Sequence, residues 1–157
     1  MNREFRVLLA MIDEAYDRHS WHGPNLRGSI RGLSAEEAAR RPSRGRHSIL
    51  ELVLHAAYWK YAARRRMLKE KRGTFPLEGS NWFAQTEGAT RRWKGALELL
   101  AGEHRALRRA IASLPASALR RNVPGSALSY PAIIRGIAAH DLYHAGQIQL
   151  IKRLIRR

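Results

Sequence analysis

Between Ile49 and Tyr61 the chain is apolar nearly all the way round a helix: Ile49, Leu50, Leu52, Val53, Leu54, Ala56, Ala57, Tyr58, Trp59 and Tyr61 leave almost no hydrophilic face. A helix of that kind must be covered on every side, so the fold has to set other elements around this segment. The remaining apolar periodicity supplies them. Phe5, Leu8, Leu9, Ile12, Ala15 and Tyr16 form one stripe of a helix over Arg3–His19. Trp93, Ala96, Leu97, Leu100, Leu107, Ile111 and Leu114 mark another, from about Thr86 to Leu114, and Ile133, Ile137, Ile148 and Ile151 a last one, from Tyr130 to about Arg156. With no segment of strand period and no internal repeat, the expected architecture is all-α, a four-helix bundle in a single domain over residues 1–157.

Helix punctuation sets the boundaries. Trp21-His22-Gly23-Pro24 breaks the first helix, which can resume over Asn25–Arg31. Ser34 and Glu37 form a capping box for a short connector helix that Pro42 stops, and Ser48 caps the long helix from Ile49 to about Lys71, with Gly73 and Pro76 beyond its end. Thr74–Gln85, carrying Trp82 and Phe83, is long enough to lie over one end of the bundle as a lid. Because one stripe suffices for a bundle core, the surplus residues Leu50, Leu54, Tyr58 and Tyr61 predict an apolar patch and a homodimer packed through it.

Composition narrows the chemistry. The absence of cysteine excludes disulfides, thiolate metal sites and a cysteine nucleophile, leaving imidazole, carboxylate or water as metal ligands. No apolar run is long enough to span a membrane and no signal-peptide core opens the chain, so a cytoplasmic protein is expected. The 29 Lys plus Arg against 13 Asp plus Glu give a formal charge of +16; only Lys60, Lys69, Lys71, Lys94 and Lys152 are lysine, leaving 24 arginines. Such a charge attracts anionic surfaces nonspecifically, but no recognition motif is present and aromatic residues do not alternate with the basic ones. Specific nucleic-acid binding is not expected.

His140 and His144 lie four apart on the last helix, about 40° and roughly 6 Å from one another, so both can reach one ion. Two imidazoles make a poor site, and His55 in the central helix is the third donor on offer. Three neutral imidazoles suit Zn²⁺, Ni²⁺ or Fe²⁺ and leave a position open for water or a substrate. Coordination needs the neutral ring, so binding is expected to weaken below about pH 6.5. His19, His47 and His104 are possible pocket residues, with a core or surface place favoured for each.

Three segments, WHGPNL (Trp21–Leu26), HSILELVLHAAYWK (His47–Lys60) and HDLYHAGQIQLIK (His140–Lys152), resemble the DinB-like (DinB/YfiT) superfamily across essentially the whole chain. The resemblance implies a four-helix bundle with unusual connections that holds a divalent metal through His55, His140 and His144. It also implies, as one class of activity, transferases and isomerases that use bacillithiol, mycothiol or glutathione. Some similar sequences carry a further histidine where this chain has Arg135, so no ligand is expected there.

Around the ligands, spacing offers Glu51, one turn before His55, as acceptor for its free ring N–H, and Gln147, beyond His144, as partner of a metal-bound water. Asp141 points about 100° away from His140 and is expected to pair with an arginine. The function read from these residues is a metal-dependent enzyme activating a low-molecular-weight thiol (S-transferase type) or water (hydrolase type) for attack on a small-molecule substrate. Arg44, Arg46 and Arg135 are candidate clamps for an anionic thiol. The alternatives are a non-catalytic metal-binding or stress-response dimer, or a basic nucleic-acid-associated protein.

Overall fold

The computed structural model describes residues 3–83 and 88–156. Their periodic segments fold as α1 (Arg3–Tyr16), α2 (Leu26–Ser29), α3 (Ala35–Ala39), α4 (Ile49–Leu68), α5 (Ala89–Ser113) and α6 (Tyr130–Ile155), with a 3-10 turn at Ala116–Arg120. Among the described residues no strand forms, only one isolated bridge between Asn122 and Ser129.

The predicted Ser34–Glu37 capping box is present, and the predicted Ser48 cap is completed by Glu51 into a second box. At α4 the Ser48 side chain accepts from the Glu51 amide at 3.2 Å and Glu51 Oε2 accepts from the Ser48 amide at 2.7 Å, a device worth about 1 kcal/mol. The helix stops at Leu68, short of the expected Lys71 and well before Gly73. Lys69 is left-handed, at φ 59, and the Glu70 amide donates back to Arg65 at 2.9 Å while its carboxylate pairs with Arg64. The first helix likewise ends at Tyr16 rather than His19, where Asn25 Nδ2 reaches back to the Arg18 carbonyl at 2.7 Å. The expected start of α5 at Thr86 lies outside the described residues.

The four long helices close into a ring in which α4 packs on α5 and α6, and α1 on the other side of the same two. Consecutive long helices α1 and α4, and α5 and α6, therefore stand diagonally across the bundle. These are the unusual connections: the first one, carrying α2 and α3, wraps the bundle and packs on α6, α5 and α4.

Coverage of α4 comes from within the chain. Leu50 and Tyr61 are 0% and 4% exposed, and Tyr58 meets Phe75 and Phe83 of the following loop at ring-centroid distances of 5.4 and 5.6 Å. Of the four surplus apolar residues, Leu50 and Tyr61 are thus covered within the chain, whereas Leu54 and Tyr58 are partly buried.

The core falls into two apolar clusters. Phe5, Leu9, Ile12, Ala63, Leu107, Ile111 and Ile134 belong to one, and Ile49, Val53, Ala57, Trp93, Leu100 and Ile148 to the other. On α4, α5 and α6 the boundary is marked by a buried polar residue, respectively Lys60, His104 and Asp141.

Candidate metal centre

Antiparallel packing of α4 on α6 brings His55 opposite the i,i+4 pair of the last helix. The three Nε2 atoms converge: His140 Nε2 lies 3.1 Å from that of His55 and 3.0 Å from that of His144. Nitrogens bound to one tetrahedral ion at 2.0–2.1 Å stand about 3.3 Å apart, close to what is found.

The outer ring nitrogens decide what that convergence means. His55 Nδ1 is 2.9 Å from the main-chain oxygen of Asn81, which can only accept, so the proton of His55 sits on Nδ1. His144 Nδ1 is 2.7 Å from Gln147 Oε1, whose amide nitrogen donates in turn to the Tyr143 hydroxyl at 3.2 Å. In both rings Nε2 is consequently a bare lone pair. A single proton on His140 Nε2 can serve only one of them, so at least one close contact sets two lone pairs against each other, and His140 Nδ1 is buried without a partner. A cation between the three nitrogens removes that conflict, and His55, His140 and His144 could hold a divalent ion.

Burial keeps these rings neutral. Desolvation, followed by the neighbouring His144, His55 and Lys60, lowers the pKa of His140 to about 3. Desolvation lowers that of His144 to about 4 against the raising effect of the Gln147 bond, and lowers that of His55 against the Asn81 bond. The unprotonated rings therefore persist below the pH 6.5 expected for a free imidazole.

A cavity of about 870 Å³ opens beside the three rings, walled by Leu52, Ile151 and Leu154, with Arg46, His47 and Gln147 among its polar residues. Trp82, at the tip of the predicted lid, is sandwiched there, 3.6 Å from the His47 ring and 4.1 Å from the His55 ring. The loop covers the flank of the site rather than a bundle end; residues 84 and 85 of the predicted lid fall outside the described residues.

Several expectations are corrected. Glu51 does not touch His55: both its oxygens are engaged, by the Ser48 amide and by Arg41, since a capping residue on the first turn faces the helix start. Gln147 reaches the site through the His144 ring itself. Asp141 pairs with the fully buried Lys60 rather than with an arginine among the described residues. His47, favoured for a core or surface place, lines the cavity, whereas His104 is a core residue stacked on Tyr16 at 3.6 Å and His19 is exposed. Of the three candidate arginines only Arg46 lines the cavity; Arg44 and Arg135 are exposed and are not among its lining residues. Asn81, unmentioned by any sequence pattern, is the residue sequence reasoning missed. Its only local sign is the Gly79-Ser80-Asn81 turn, a context that tolerates the left-handed φ of 66 it adopts.

A helical bundle with three convergent imidazoles on facing helices defines the class, one with a candidate divalent-metal site. The chain belongs to the DinB superfamily, whose sequence profile matches residues 18–148. No curated protein and no solved structure matches it. No described helix is long and apolar enough to cross a membrane.

Proposed function

We propose that this chain is a divalent-metal-dependent enzyme that activates a low-molecular-weight thiol at His55, His140 and His144 and delivers it to an electrophilic small molecule. The observation that carries this reading is the convergence of three Nε2 atoms, two of them without a proton, at the wall of an 870 Å³ cavity. Zinc, nickel or iron, when bound, supplies Lewis acidity that draws the pKa of a thiol or a water toward neutrality.

The chain's own residues do the rest. The Asn81 carbonyl and the Gln147 amide hold the Nδ1 protons of His55 and His144, fixing the tautomers that face inward. Trp82 lies flat on His55 and keeps water from that flank. Leu52 and Ile151 offer an apolar wall to the acceptor, and Arg46 at the rim can take the carboxylate of an anionic thiol in a bidentate grip. With no cysteine in the chain, the thiol has to arrive as a cosubstrate.

The test is thiol consumption. Glutathione, bacillithiol and mycothiol are each supplied with an electrophile to metal-loaded wild type and to His144→Ala. Faster consumption by the wild type supports the reading. Equal consumption by the two proteins defeats it, and turnover of an ester or amide without thiol would move the assignment to hydrolysis.

A further inference from the structure

Each long helix sends a polar group into a second buried cluster. Tyr16 comes from α1, Lys60 from α4, His104 from α5 and Asp141 from α6, and all four are buried. Lys60 and Asp141 are 0% exposed and form an ion pair; Lys60 Nζ lies 5.2 Å from the centroid of the Tyr16 ring, which stacks on His104.

Such a pair is a poor way to gain stability. Both charges have left water, and Asp141 Oδ1 has no hydrogen-bond partner. Apolar side chains of similar size in such a place are often neutral or stabilising. What they do not supply is register, the best-attested use of a buried polar contact. The need for register shows in the alanines buried within a few residues of the pair, Ala56, Ala57, Ala62 and Ala63 on α4 and Ala138 and Ala145 on α6, among larger residues such as Tyr61 and Ile137. Methyl groups interlock shallowly and leave two helices free to slide.

The pair also sits where sliding matters. Lys60 is five residues beyond His55, about 7.5 Å along the axis, and Asp141 lies between His140 and His144. At the far end of the same helix pair, the Tyr130 hydroxyl donates to the Met67 carbonyl at 3.1 Å. A slip of one residue moves His55 by about 1.5 Å, against a tolerance of about 0.2 Å in a metal–ligand distance.

We propose that Lys60 and Asp141 are positioning residues for the metal centre: their ion pair sets the axial register of α4 on α6 and so the distance between His55 and the His140–His144 pair. This rests on the three-histidine reading above.

Zinc titration, thermal melting and the absorption spectrum of the Co²⁺-loaded protein test it on wild type, Lys60→Met/Asp141→Leu, Lys60→Met and Leu107→Ala. The double variant is expected to melt near or above the wild type, yet to bind Zn²⁺ about 10- to 100-fold more weakly, with an altered Co²⁺ ligand-field band. Lys60→Met alone should weaken zinc binding likewise. Leu107→Ala, a core truncation on α5, which carries none of the three histidines, should lower the melting temperature while zinc affinity stays within about threefold of wild type. Zinc affinity in the double variant within that same margin, with an unchanged Co²⁺ spectrum, overturns the proposal. So does loss of helical circular dichroism in both Lys60 variants, which would make the pair a requirement of folding. A wild type that takes up neither zinc nor nickel nor iron defeats the three-histidine reading itself, and is seen before any variant is made.

Discussion

His55 Nδ1 donates to the main-chain carbonyl of Asn81 across 2.9 Å, tying the middle of α4 to the loop that follows it. The tie has a second strand, since Asn81 Oδ1 accepts from Trp59 Nε1 at 2.9 Å. Asn81→Ala keeps the left-handed backbone strained and removes the second bond. It is expected to lower stability by about 1–2 kcal/mol and metal affinity about tenfold. Asn81→Gly, which relaxes the backbone, should recover part of the stability and little of the affinity. Paired thermal melts and zinc titrations decide, and an alanine variant identical to wild type in both would break the link between loop and site.

Removal of a ligand should abolish the site. About one divalent ion per chain is expected by elemental analysis, with His55→Ala and His144→Ala each retaining none, because two imidazoles hold an ion poorly. A ligand at a hundredfold excess over its Kd stabilises the folded state by about 2.7 kcal/mol, so a chelator should lower the melting temperature of wild type and leave both variants unmoved. Undiminished metal content in the two variants would remove these histidines from the assignment.

Stability of the metal-free protein should fall with acid. Burial holds His104 and His140 at a pKa of about 3 and His144 at about 4, whereas in the unfolded chain each titrates near 6.5. Below about pH 6.5 the unfolded state therefore binds protons that the folded state refuses, and stability drops until the folded groups titrate in turn near pH 3 to 4. Above pH 6.5 the rings are neutral in both states and give no slope. Each contributes at most about 1.4 kcal/mol per pH unit. Urea midpoints of chelated protein at pH 7, 6 and 5 measure this, and His104→Phe, which keeps the stack on Tyr16, should give a shallower slope; equal slopes would show that His104 is charged in the folded protein.

Glu51 offers a negative control inside the same helix. Glu51→Gln keeps a capping acceptor but loses the ion pair with Arg41, so a loss of roughly 1 kcal/mol is expected. Zinc affinity should stay within about threefold of wild type, because the residue makes no bond to His55. A tenfold loss would restore Glu51 to the site.

Residue order alone specifies whatever a single segment encodes. The stripes of α1, α5 and α6, the all-round apolar α4, the Ser34–Glu37 capping box and the Ser48 cap were legible because helix period, capping and side-chain facing are set within a few residues. The His140–His144 pair was legible for the same reason, and the segment carrying it matched the superfamily. Tertiary structure alone decided the rest. That His55 is oriented by Asn81 instead of Glu51, that Asp141 finds Lys60, that His47 and Trp82 stack beside the site, and that Leu50 and Tyr61 are covered without a second chain all depend on which helices lie beside each other. The long connections place α1 across from α4, and α5 across from α6. Spacing along a chain specifies which face of a helix a residue occupies; it does not specify what that face meets.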